Sequence, residues 1–260
     1  MWKRNEGLAG RVFVFGVLLG GGLFAASCSD DVTGTGEKTE FGAPVPLGNG
    51  TVRTYIVEQK GVPTEIGVVL SEAALDNLQT TPQMGGYETV VPLPAVNSTQ
   101  YKLVGLNWNP GGHPPVYMLP HFDAHFYMIS EAEKNAIVPT DPDFAKKAAN
   151  IPTAAFTMPG FVNDVPANAV PRMGLHWTDT NAPEFHGSSF TRTFIAGSWD
   201  GKFIFHEPML TRAYLLTRPD ELVPLGRASQ TAIPGYYPGS YRVKWDAQKA
   251  EWRIGLADLR

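Results

Sequence analysis

Residues 121–128 read His-Phe-Asp-Ala-His-Phe-Tyr-Met. Polar and apolar side chains alternate along this stretch, the period of a β-strand. His121, Asp123 and His125 fall on one face, and Phe122, Ala124, Phe126 and Met128 on the other. A helix would mix the two sets around its circumference. Any fold must therefore place this segment in a sheet, bury its aromatic face, and find surroundings for three polar groups on the reverse.

Other segments carry the same period. Thr51–Glu58 and Pro63–Leu70 flank a Gln59-Lys60-Gly61 turn and predict a hairpin. Tyr101–Trp108 aligns Val104, Leu106 and Trp108 on one face. Phe190–Ile195 and Lys202–His206 predict strands joined through Ser198-Trp199-Asp200-Gly201. Pro208 is expected to end pairing after the second of these, and Ala213–Arg218 reads as a further strand. Ser240–Trp245 and Glu251–Leu256 form a last hairpin. Helices are short: one capped by Ser71, one opened by the Ser130–Glu133 capping box, one over Asp143–Ala149. Residues 137–170, rich in Pro, Ala and Asn, read as a covering excursion. The fold class is mainly β, a β-rich α+β arrangement in one antiparallel barrel- or sandwich-like domain over 46–260 with a few short helices. Its 22 prolines and 27 glycines suit the many turns such a fold needs.

The N-terminus predicts a compartment. Lys3, Arg4 and Arg11 precede an apolar run from Val12 to Ala26 that ends in Ala25-Ala26-Ser27-Cys28. This is the pattern of a secretory signal over 1–27, with a lipobox-like ending that implies acylation of Cys28. The run is too short for a spanning helix, which needs about 20 residues. The expected address is the bacterial cell envelope, anchored by lipid, with Ser29 favouring the outer membrane facing the periplasm. Residues 28–45 read as a flexible tether. Gly34–Thr39 lacks the spacing of a phosphate loop. Cys28 is the chain's single cysteine, so no internal disulfide can form. Removing 1–27, which carries three cations and one anion, moves the formal charge from −4 to −6. With no basic patch, nucleic acid is excluded as a partner.

All six histidines lie between 113 and 206. Histidine is the commonest metal ligand, and the crowding points to a site. On a straight strand, residues i and i+2 lie about 7 Å apart and i and i+4 about 13 Å. His121 and His125 therefore cannot share one ion at about 2.0–2.1 Å. One of them beside Asp123 is the expected nucleus, completed by His113, His176 or Glu184. Asp123 could instead orient an imidazole from behind. Such a set suits one divalent metal: zinc, iron or manganese. Three ligands with an open position would permit hydrolysis or hydration, and four closed ones would mean structure. Trp177 and Tyr117 are read as pocket walls. His206 is given less weight. His-Glu-x-x-His, Gly-x-Ser-x-Gly and Cys-x-x-Cys are absent.

Three stretches, Pro120–Tyr127, Met173–Trp177 and Gly197–Met209, together resemble an uncharacterised bacterial domain-of-unknown-function family with a Thermus representative controlled by an extracytoplasmic-function sigma factor. The resemblance covers roughly 46–260. It implies an extent, with His113, His121, Asp123, His125 and His176 on the pattern and His206 off it, and it implies no reaction. Two functions stand side by side. One is a lipid-anchored envelope protein with a metal site. The other is a non-enzymatic binding or scaffold lipoprotein with a metal-free histidine cluster, in one version a homo-oligomer. The small-molecule ligand has no signature in the sequence.

Overall fold

The aromatic face of residues 121–128 is buried between two antiparallel sheets. The computed structural model describes residues 30–31 and 36–260. The expected signal sequence and Cys28 lie outside the described residues. The chain begins one sheet with β1 (Asp30–Asp31), β2 (Glu37–Phe41), β3 (Val45–Leu47), β4 (Gly50–Gln59) and β5 (Val62–Ser71). It crosses to a second sheet through β6 (Tyr87–Val91), β7 (Leu103–Asn109), β8 (His121–Tyr127), β9 (Phe161–Asn163), β10 (Leu175–Asp179), β11 (Arg192–Trp199) and β12 (Lys202–Thr211). It returns with β13 (Asp220–Pro224), β14 (Ser240–Asp246) and β15 (Glu251–Ala257).

The first sheet runs β1-β2-β4-β5-β15-β14-β13, with β3 also on β4. The second runs β6-β7-β8-β12-β11-β10-β9. Both have open edges, so the domain is a sandwich and not a closed barrel. Ile56, Ile66, Val68, Ile254 and Leu256 of the first sheet meet Phe122, Ala124, Phe126 and Leu210 of the second in one core. Truncating a buried phenylalanine of this kind costs about 3–5 kcal/mol.

Local chemistry explains the joints. Asp200 and Gly201 both take positive φ (47° and 79°), as a two-residue β11–β12 hairpin requires. The Ser130–Glu133 box opens α1 (Glu131–Asn135) with both of its reciprocal bonds formed. The predicted helix at 143–149 is α2 (Phe144–Ala149).

Four expectations need correction. Residues 213–218 are not a strand: α3 (Arg212–Leu216) forms there because the Thr211 hydroxyl accepts from the Tyr214 N–H and caps it. Pro208 does not end β12, which continues to Thr211 and pairs Pro208 with Phe194 of β11. The interruption falls on the other side. The β12–β8 register stops at His206↔Phe126 and resumes at Met209↔Asp123, skipping Glu207 and Pro208. Strand pairing starts before 46, since Glu37–Phe41 runs along β4. The segment after Ser71 is a single 3-10 turn (Glu72–Leu75), and the Ser71 side chain makes no capping bond to it.

Candidate metal centre

All seven residues of β8 are buried, polar and apolar alike. The face carrying His121, Asp123 and His125 is roofed by segments outside the sandwich core. Tyr117 and Phe190 cover one part together with Ile195 and Met209. Ile137 covers another, against Tyr127 and Phe205. Burial of a polar strand face is costly unless its groups are paired. Here the pairing is thin: His121 Nε2 and Asp123 Oδ1 have only each other, and both ring nitrogens of His125 and Glu207 Oε2 have no hydrogen-bond partner.

With His113 and His176 these residues gather into two sets of three, each with two imidazoles and one carboxylate: His113, His121 and Asp123, and His125, His176 and Glu207. Within each set the ligating atoms lie within 4.8 Å of one another. These groups could hold a metal ion. His121 and His125 fall in different sets. Both sets border one cleft of about 540 Å³, lined by His113, Asp123, His125, His176 and Glu207 among others. A neighbouring hollow of about 360 Å³ shares His113 and His176 and adds Tyr117.

The first set has a supporting frame. His113 sits in the β7–β8 connection, where its N–H donates to the Tyr117 carbonyl at 2.9 Å. His113 Nδ1 donates to the Pro114 carbonyl at 3.1 Å, and His121 Nδ1 to the Leu119 carbonyl at 2.6 Å. A carbonyl only accepts, so both Nδ1 atoms carry hydrogen, and both rings turn Nε2 toward Asp123. His121 Nε2 lies 3.0 Å from Asp123 Oδ1, and His113 Nε2 lies 4.0 Å from Oδ2. Asn109 Nδ2 donates to Oδ2 at 2.6 Å. Backbone carbonyls fixing the far nitrogen of each imidazole, and an amide holding the carboxylate, are what metal-binding residues require around them.

Charge follows burial and neighbours. Burial disfavours the His121 imidazolium, but Asp123 and the Leu119 carbonyl outweigh it and raise its pKa. Burial likewise opposes ionisation of Asp123, and the three nearby imidazoles, His121 foremost, outweigh that and lower it. In the second set, burial pushes His125 down to about 3 and His176 to about 4, so both are neutral at neutral pH. Burial, reinforced by the charge of Asp123, holds Glu207 well above the usual carboxylate range.

The remaining predicted residues are placed as follows. Tyr117 is buried beside His113, ring centres 5.6 Å apart, with its hydroxyl unpaired. Trp177 does not line the cleft. It points to the opposite face of β10, packs on Phe203 in the inter-sheet core and donates Nε1–H to Ser198 Oγ. Glu184 is buried on the 3-10 turn Pro183–His186 with Oε1 unpaired, and joins neither set. His186 is exposed and bonded to the Thr180 carbonyl. His206 faces the core, where Nδ1 shares a hydrogen bond with the Tyr101 hydroxyl at 2.8 Å. Glu207 is the residue that sequence reasoning missed. Its neighbours at strand period, Phe205 and Met209, are apolar, so no polar stripe marks it. A smaller hollow of about 190 Å³ near His206 has Phe156, Met158 and Phe203 in its walls and neither candidate carboxylate.

Comparison with known proteins adds one finding. A family model described as TTHB210-like (hypothetical protein TTHB210) matches residues 59–108. That stretch holds β5, β6 and nearly all of β7, so the likeness concerns the frame and includes none of the histidines. No curated protein and no solved structure matches the chain.

Proposed function

We propose that this protein is a lipid-anchored component of the bacterial cell envelope that binds one divalent metal (zinc, iron or manganese) between His113, His121 and Asp123. One observation carries the reading: two imidazoles with their Nδ1–H groups committed to backbone carbonyls direct Nε2 at one buried carboxylate. Two imidazoles and a carboxylate are a zinc set, and equally the facial set of non-haem iron. Such a set leaves a position open for water. The His113 side chain is 40% exposed, so that position opens to solvent. A metal lowers the pKa of bound water toward about 7, which would equip the cleft for hydrolysis or hydration. Cys28 and the preceding apolar run support the anchor. Expression under an extracytoplasmic-function sigma factor would suit that address, and transcript levels under envelope stress test it.

The alternative is a metal-free cluster in a binding or scaffold lipoprotein. The opposite pKa shifts of His121 and Asp123 favour it, since a buried imidazolium–carboxylate pair needs no ion. Elemental analysis of purified protein decides. The metal reading expects bound metal that His121→Ala removes. Wild-type protein that stays metal-free after exposure to zinc, iron(II) and manganese, and melts identically in chelator, supports the alternative.

A further inference from the structure

Resting on the reading of this cleft as a metal site, we infer that it holds a second, separate divalent cation, bound by His125, His176 and Glu207. His125 comes from β8, Glu207 from β12 and His176 from β10, so three strands of one sheet supply the set. His125 is 1% exposed and Glu207 2%, and His125 Nε2 lies 3.4 Å from Glu207 Oε1. Both nitrogens of that imidazole and the other carboxylate oxygen are without partners. A buried polar atom left unpaired costs about 1–3 kcal/mol. A cation here would take one ring nitrogen of His125 and that free oxygen of Glu207, relieving two of these atoms.

The surroundings hold the set in place. Gly197 stands opposite His176 on β11, and a Cβ there would collide with the Phe205 ring. With only hydrogen at 197, that ring lies over the strand and sets its edge or face against both imidazoles, 5.1 Å from His125 and 5.6 Å from His176. The interruption of the β12–β8 register falls at Glu207, beside His125. The pairing that would otherwise run through this point is open where the ligands meet.

Two ions are required, not one shared ion. The sets have no residue in common. His121 and His125 are four residues apart on one strand, about 13 Å where it is straight, against ligand distances of about 2.0–2.1 Å. Each set has one half-buried imidazole, His113 or His176, and two buried ligands.

The test is a count of zinc per chain after loading the full protein with zinc alone and removing excess by gel filtration. Wild type binds two. His121→Ala keeps one, His176→Ala keeps one, and the double variant keeps none. Glu207→Gln repeats the His176 result with a side chain of the same shape, and circular dichroism confirms that each variant is folded. One zinc that His121→Ala removes and His176→Ala leaves would overturn the second site and spare the first. One zinc that only His176→Ala removes would overturn both the pairing of sites and the proposed function as written. One zinc lost in either variant would mean a single shared site, and no zinc at all would end both proposals.

Discussion

Asn109 donates its side-chain N–H to Asp123 Oδ2 at 2.6 Å across the β7–β8 pair. Asn109 itself stands opposite His121 in the register, two residues along and diagonal to the carboxylate it holds. The bond fixes one oxygen of Asp123 and leaves Oδ1 facing His121 Nε2. Removing a group that orients a ligand typically weakens metal binding 10–100-fold. Asn109→Ala should therefore loosen zinc at the His113–His121–Asp123 set by about that factor. Competition with a chromophoric chelator measures it. Unchanged affinity would show that Asp123 needs no such support and that the bond serves only the strand pair.

Metal must also act on stability. A ligand at about 100 times its Kd adds about 2.7 kcal/mol to the folded state if the unfolded chain does not bind it. For a domain of this size each kcal/mol is worth roughly 2–4 °C. Zinc should raise the melting temperature by roughly 5–10 °C, and chelator should reverse the gain. A melting curve indifferent to both would leave the cleft as a polar cluster and nothing more.

The parts of this fold that were legible in sequence are those whose signal is local. Alternation located β8 and assigned its two faces. The Asp200-Gly201 pair marked a hairpin, and Ser130–Glu133 marked a helix start. Thr211 shows where local reading fails: its hydroxyl turned an apolar run that reads as strand into a helix. The candidate site was half legible for the same reason. His121, Asp123 and His125 share one strand, so their relative geometry follows from its period. Glu207 enters through the register between β8 and β12, which no pattern within either strand records. Trp177 was assigned to the pocket because it adjoins His176, yet adjacent residues on a strand point to opposite faces, and it packs in the core.

Gly112 is a positioning residue for His113. Its φ is +62°, and a Cβ there would run into the Tyr117 carbonyl and Met118. The same carbonyl accepts the His113 N–H. Gly112→Ala should cost about 1–2 kcal/mol from the left-handed backbone alone. It should also push His113 away from Asp123. The expected signature is weaker zinc binding at the first set with no change at His125, His176 and Glu207. Equal loss at both, or at neither, would contradict this role.

His206 should make the fold sensitive to mild acid. Burial lowers its pKa from 6.5 to about 4, with the ring facing the core beside Tyr101. Between those two values the unfolded chain binds the proton and the folded chain does not. Stability from this group is therefore complete above pH 6.5 and declines as pH falls toward about 4. The loss over the whole window is about 3 kcal/mol at 1.36 kcal/mol per unit. His125 and His176 are lowered by burial too and act with the same sign, so the measurement must isolate His206. In chelator, the stability of wild type and His206→Gln, read from urea midpoints at successive pH values, supplies the difference. His206→Gln should be the less stable above pH 6.5, because glutamine fits the Tyr101 hydroxyl less well. The gap should narrow steadily toward pH 4, because glutamine takes up no proton. Parallel curves across that range would mean that His206 stays uncharged in the unfolded chain as well, or gains a proton in place, and the burial account of its shift would fail.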